Sequence, residues 1–184
     1  FRPMRIVAGR FAGRTLTSPS GRVRPTSEHA RDLWMDWLAG EIQGARVLDL
    51  FAGTGALGLE ALSRGAASVD FVENGPSALH ALRANIAALR VKDSTRLFRR
   101  DAIQFVEGMP ERGLTPYDVV VADPPWHSRA GDRLVRFWKE HAFGRVLTVE
   151  TGPDRTLPPG GTRRVLGEAA VTLYRVKPAP PLHT

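Results

Sequence analysis

Residues 46–58 read RVLDLFAGTGALG, and this stretch decides the fold. Val47, Leu48 and Leu50 form a short apolar run of the kind buried on both faces of a parallel sheet. Gly53, Gly55 and Gly58 follow in GxGxxG spacing, and residues 55–65 (GALGLEALSRG) carry a helical pattern that Gly65 ends. A strand, a glycine turn and a helix in that order open a doubly wound sheet, with the turn placed to approach a ligand.

The alternation continues outward from there. ASVDFVE reads as a strand, PSALHALRANIAAL as a helix with Pro76 near its first turn, and STRLF as a third strand. A short helix near AIQFVEGM, the strand YDVVVAD, a helix around GDRLVRFWKEHA and the strand GRVLTVE follow, before TRRVLG and AAVTLYRV close the chain as a hairpin. The pattern predicts an α/β fold: a doubly wound, mostly parallel seven-stranded sheet with right-handed crossovers, ending in an antiparallel hairpin. Upstream, RIVAGRFAGRTLT reads as two short strands around Gly9 and Gly13. Ser27 is placed to cap a helix over about residues 28–41, with Leu33, Trp34, Trp37 and Leu38 directed to the main body. The organisation expected is a basic hairpin-and-helix extension over 1–41, the α/β domain over 42–177 and a frayed tail over 178–184.

Composition narrows the class. The chain has 184 residues, 42% hydrophobic and 24% charged, and no cysteine, so thiol-ligated metal and disulfides are excluded. No apolar run approaches the roughly 18–20 residues that cross a bilayer, and the interrupted, arginine-rich start lacks the apolar stretch of a signal peptide. A soluble cytoplasmic protein is expected, and residues 1–3, ahead of Met4, carry no weight. Lys plus Arg exceed Asp plus Glu by 26 − 19 = 7. Residues 1–31 hold seven arginines against Glu28 alone, which is 7 − 1 = +6, leaving +1 for the rest. A concentrated arginine stripe on a nearly neutral body has the form of an arm that tracks phosphates, so a nucleic acid is the expected partner.

The glycine loop alone does not say which nucleoside it holds. Glu73, twenty residues beyond Gly53 at the next strand tip, is placed to accept hydrogen bonds from two ribose hydroxyls. Asp49 is expected to put a carboxylate at the mouth of the loop, where a pyrophosphate would want only amides and a helix dipole, which favours a cationic ligand such as the sulfonium nucleoside S-adenosylmethionine. Asp101, after the third strand, reads either as an acceptor for an adenine amino group or as a plain helix cap. The candidate cofactor contacts are Asp49, Phe51, Ala52, Gly53, Thr54 and Gly55, then Glu73 and Asn74, then Asp101 and Ala102.

The fourth strand runs into Asp123-Pro124-Pro125-Trp126. Two prolines cannot donate to a sheet and hold the chain extended, so the strand stops at the edge where such sheets bind ligands. The corner presents the Asp123 carboxylate and the Pro124 carbonyl to an exocyclic base amine, whose lone pair they free for attack, while Trp126 offers a stacking face to an extruded base. These four residues are the candidate catalytic set; no metal is expected.

DLFAGTGALGLEAL and VVVADPPW, preceded by RIVAGRFAGRTL and GRVRPTSEHAR, resemble the RsmD-type small-subunit ribosomal RNA guanine-N2 methyltransferases from about Arg5 to Val176. The resemblance implies a class I, Rossmann-like methyltransferase fold, S-adenosylmethionine as donor with S-adenosylhomocysteine as product, and a guanine of 16S ribosomal RNA or of the small subunit as target. It also places Arg24, Pro25, Thr26 and Arg31 near the substrate. With the arm, the candidate RNA contacts become Arg10, Arg14, Arg22, Arg24, Thr26 and Arg31, on a protein expected to act as a monomer. Trp126, Asn74 and Leu166-Gly167 depart from the family pattern, where Phe or Tyr, a second acid and Tyr-Gly are usual. Three other readings remain at this stage: adenine-N6 transfer on RNA or DNA, a nicotinamide oxidoreductase, and a non-catalytic RNA-binding assembly factor.

Overall fold

A computed structural model describes residues 4–19, 26–113 and 115–176. Strands β1 (Arg46–Leu50), β2 (Ser68–Glu73), β3 (Thr95–Arg99), β4 (Tyr117–Ala122), β5 (Gly144–Thr151), β6 (Thr162–Leu166) and β7 (Ala169–Arg175) form one seven-stranded sheet. Its order is β3-β2-β1-β4-β5-β7-β6. The first five strands pair in parallel, and β7 runs antiparallel to both β5 and β6. This is the sheet expected from the alternating pattern, with the closing hairpin in place.

Helices α3 (Ala56–Ser63), α4 (Pro76–Leu89), α5 (Ala102–Glu107) and α6 (Ala130–His141) are the crossovers. Side chains alternate across a strand, so β4 sends Val119 and Val121 to one face and Val120 and Ala122 to the other. The first face packs with Leu59 and Leu62 of α3 and Leu82 and Ile86 of α4, the second with Phe105 of α5 and Leu134 and Trp138 of α6. Each fully buried Val, Leu or Phe is worth about 1.5–3 kcal/mol, so these two faces hold the sheet and fix where its strand ends lie. No helix among the described residues is long and apolar enough to cross a membrane.

The N-terminal region departs from expectation in three respects. The hairpin-like element is present but too short to count as two strands: one antiparallel bridge, Arg5 to Thr15, flanked by Ile6 N on the Arg14 carbonyl at 3.0 Å, Gly13 N on the Ile6 carbonyl at 2.9 Å and Leu16 N on the Met4 carbonyl at 2.8 Å. The amides around its turn are drawn to α3: Val7 N and Ala8 N donate to Glu60, Phe11 N to Ser63 Oγ and Arg10 N to the Ser63 carbonyl, all at 2.9 Å. Gly9, at φ 82°, makes that approach possible, since a Cβ there would lie 1.9 Å from the Ser63 carbonyl oxygen. The helix also breaks, into α1 (Glu28–Trp37) and α2 (Ala39–Ile42), at Leu38. Ser27 caps α1 as expected, accepting from Ala30 N at 3.0 Å. The buried face of α1 is Ala30, Arg31, Trp34 and Met35 with Leu38 behind it, which leaves Leu33 exposed, one position off the stripe.

Candidate active site

The sheet reverses its winding between β1 and β4: β1 feeds helix α3 on one face, and β4 feeds α6 on the other. Such a switch point opens a crevice at the carboxyl ends of the two strands. Leu50 and Ala122 are their last paired residues, and Asp123 N lies 3.4 Å from the Leu50 carbonyl. The glycine loop and the Asp-Pro-Pro-Trp corner, seventy residues apart in sequence, therefore sit side by side.

On the glycine-loop side the carboxylates are held by backbone amides. Asp49 is 1% exposed and accepts from Gly58 N at 2.9 Å, inside the first turn of α3. It lies beneath the loop and not at its mouth, which corrects the sequence expectation. Burial pushes its carboxyl well above the ordinary range against the pull of the Gly58 amide, and the nearby Asp123 and Glu73 push the same way. The carboxylate at the mouth is Glu73. Its Oε2 accepts from Gly53 N at 2.7 Å, and its Oε1 accepts from Asn74 N at 2.9 Å and Gly75 N at 2.7 Å. A carboxylate oxygen has two lone pairs, so Oε2 retains room for a hydroxyl. With the Gly53 amide already given to an acid, a pyrophosphate would meet a carboxylate where it needs a donor.

The loop itself is closely packed at Gly55. Gly55 has φ 81°, and a Cβ there would stand 2.3 Å from Leu82 Cδ1. Phe51 adopts φ 58° although it is not glycine, a strained conformation of the kind that collects at ligand sites. Ala52 N donates to the Val72 carbonyl at 3.1 Å. Thr54 places its carbonyl 2.9 Å from Asn85 Nδ2 of α4. Asp101 caps α5, with Oδ1 accepting from Gln104 N at 2.9 Å, and Ala102 is buried behind it.

The corner after β4 is filled differently. Asp123 is half-buried and Pro124 buried. Among the described residues none donates to Asp123 Oδ1 or to the Pro124 carbonyl. Burial pushes the Asp123 carboxyl up to about 6, while its contact with Thr26 pulls the other way. Pro125, in contrast, spends its carbonyl on Ser128, from N at 3.0 Å and Oγ at 2.7 Å. Trp126 stands partly exposed over Gly152, where a Cβ would come within 3.2 Å of the ring. Arg155 braces this turn, with Nη1 3.0 Å from the Trp126 carbonyl and 2.6 Å from that of Ser128, and Nη2 paired with Asp132.

Thr26 reaches the corner from the N-terminal region: its Oγ1 lies 3.2 Å from Asp123 Oδ2 and 2.9 Å from Glu150 Oε2. Arg10 and Arg14 are exposed, Arg10 over the Phe11 ring at 4.4 Å and Arg14 with Nη2 2.9 Å from the Ala88 carbonyl. Arg22 and Arg24, with Pro25, lie outside the described residues. Arg31 does not belong with them. It is 1% exposed, with Nε 3.3 Å from Glu60 Oε2 and Nη2 on the Arg5 carbonyl, so it anchors the arm and cannot reach an RNA phosphate.

Four residues with strong structural roles were not singled out from sequence: Glu60, Asn85, Glu150 and Arg155. Glu60 and Asn85 interrupt apolar helix faces, and Glu150 ends an apolar strand as Glu73 and Asp123 do, so each left a readable signal. Arg155 left none. Among the described residues no group of three or more His, Asp or Glu side chains is placed to hold a metal ion.

Residues 4–150 match the protein family described as conserved hypothetical protein 95. The chain is 32% identical over 182 residues to ribosomal RNA small subunit methyltransferase D of Escherichia coli, covering 94% of this chain and 89% of that protein. It belongs to the RsmD-type family of ribosomal RNA methyltransferases. The Haemophilus influenzae protein of the same name is 30% identical over 159 residues, covering 84% and 81% of the two chains. A solved structure of a hypothetical protein from Thermus thermophilus superposes with a TM-score of 0.83 at 29% identity, covering 94% of this chain and 99% of that one. The class I methyltransferase architecture follows from family and topology together.

Proposed function

We propose that this chain transfers a methyl group from S-adenosylmethionine to the exocyclic N2 amine of a guanine in small-subunit ribosomal RNA. The observation that carries this reading is a pair of acceptors, Asp123 Oδ1 and the Pro124 carbonyl, to which none of the described residues donates, beside a glycine loop whose rim is acidic. Two acceptors on one planar NH2 group match its two hydrogens, and gripping both favours pyramidalisation of the nitrogen. The methyl donor supplies an electrophilic carbon on a sulfonium, already activated. The residues present fit such a donor: Glu73 offers a lone pair to a ribose, and the loop presents no lysine or arginine. Names of the relatives support small-subunit RNA as the substrate class.

In this reading most of the rate comes from holding amine and methyl in line, an effect that can reach about 7–11 kcal/mol. Asp123 orients the amine and receives its proton as the new C–N bond forms. Trp126 stacks on the base, worth about 1–3 kcal/mol. Arg10, Arg14, Arg22 and Arg24 hold the RNA backbone. The enzyme acts as a cytoplasmic monomer on naked RNA or on a partly assembled subunit.

Incubation with methyl-labelled donor and 16S ribosomal RNA or small subunits, followed by nucleoside mass analysis, tests the reading. N2-methylguanosine is expected. N6-methyladenosine would reassign the target, and absence of any labelled nucleoside on either substrate would overturn the proposal.

A further inference from the structure

Thr26, Asp123 and Glu150 meet from three distant parts of the chain. Asp123 and Glu150 lie one residue beyond the last paired positions of the adjacent parallel strands β4 and β5, Ala122 and Val149. Their carboxylates are therefore neighbours at the same edge. Glu150 is 4% exposed, and Thr26 bridges both, 2.9 Å from Glu150 and 3.2 Å from Asp123.

A threonine hydroxyl has one hydrogen. When it is given to Glu150, the contact with Asp123 Oδ2 is a hydrogen bond only if Asp123 carries a proton; when it is given to an ionised Asp123, the proton moves to the Glu150 side. The hydroxyl thus makes the two carboxyl groups one unit. It also fixes Oδ2 as the oxygen turned to Thr26, which leaves Oδ1 for a substrate.

We infer that Glu150 is a positioning residue for methyl transfer: through the Thr26 hydroxyl it orients the Asp123 carboxyl and sets how readily that group takes a proton. The inference rests on the methyltransferase reading above and extends it to a residue outside the Asp-Pro-Pro-Trp corner. Among the described residues, the charged groups facing Asp123 are Asp49 from β1, with Glu73 of β2 beside it, and Glu150 from β5. Arg155, which lines the same crevice as Pro124 and Glu150, is committed to Asp132. Neighbouring like charges raise each other's proton affinity, and a donated hydrogen bond lowers it.

The two halves of this unit should therefore act with opposite sign. Glu150→Gln removes a neighbouring negative charge, so Asp123 ionises at lower pH and the acid limb of the kcat profile moves down. Thr26→Val removes the donor, so the limb moves up. Glu150→Gln should also lower kcat on RNA by about 100-fold, the scale of a misplacement of about 1 Å, with donor affinity unchanged. The same two shifts should appear when the Asp123 side-chain carboxyl is titrated by carbon-13 NMR in the RNA-free protein. Shifts of one sign in both variants, or a limb and a titration unmoved by Glu150→Gln, would overturn the inference. If the wild-type protein transfers no methyl, the functional reading fails, while the NMR titration still decides the Glu150 contact. If it transfers methyl and the three titrations coincide, only the role of Glu150 falls.

Discussion

The tips of β1 and β2 and the tip of β4 adjoin one another, yet their polar groups are used in opposite ways. At the first two, Asp49 and Glu73 are satisfied by the chain's own amides, from Gly58 on one and from Gly53, Asn74 and Gly75 on the other. At the third, none of the described residues donates to Asp123 Oδ1 or to the Pro124 carbonyl, the two acceptors we propose for the substrate amine. The difference teaches that, on the proposed reading, the donor side is built in advance by local hydrogen bonding, whereas the substrate side keeps acceptors to which none of the described residues donates.

The sharpest break of that comparison is Asp123→Asn. Loss of the anionic acceptor should lower kcat by about 10²–10⁴-fold, with donor affinity by calorimetry close to wild type. The same change should stabilise the protein. A carboxyl raised above its unfolded value binds protons more readily when folded, so the folded state loses stability as pH rises from about 4 to about 6 and carries the full penalty above. Thermal unfolding at pH 7.5 should show Asp123→Asn more stable by about 1–3 kcal/mol, and the gap should close below pH 4. Loss of donor binding together with stability would mean that Asp123 belongs to the pre-built side.

Next comes the anchor of the arm. Glu60 is fully buried and receives Val7 N, Ala8 N and the guanidinium groups of Arg31 and Arg64. Glu60→Ala leaves the buried Arg31 cation without its partner and should cost about 3–5 kcal/mol, read as a fall in denaturant midpoint. Glu73→Ala should weaken the donor by about 10–100-fold, the value of a hydrogen bond to a charged group, with the unfolding midpoint less affected than by Glu60→Ala. The smallest effect is expected from Arg10→Ala with Arg14→Ala. If each arginine meets one phosphate, RNA affinity should fall a few-fold and the slope of log affinity against log salt should flatten by about 2. An unchanged slope would place the RNA elsewhere.

Most of the sheet was legible because hydrophobic period and glycine or proline punctuation are local. The strands ending at Leu50, Glu73 and Ala122 and the helix Pro76–Leu89 appear where their patterns place them. The docking of the turn between Gly9 and Gly13 onto α3 was not, because Val7 N, Ala8 N and Phe11 N bond to Glu60 and Ser63 more than fifty residues away. Arg31 misled for the same reason: its sequence neighbours are basic and polar, whereas its spatial neighbour is a buried carboxylate.

From the sequence alone come the strand order's raw material, the glycine loop, and the proline-stiffened corner that halts β4; each is a short-range consequence of which residues can form helix, strand or turn. Only the tertiary structure decided which carboxylate faces inward and which outward. Asp49, Glu73, Asp123 and Glu150 are all strand-end acids in sequence, and what separates them is the partner that the folded chain brings within 3 Å or so: a helix amide, a loop amide, or a threonine from the far end of the molecule. Those distances are set by strand register and helix packing, which no local pattern encodes.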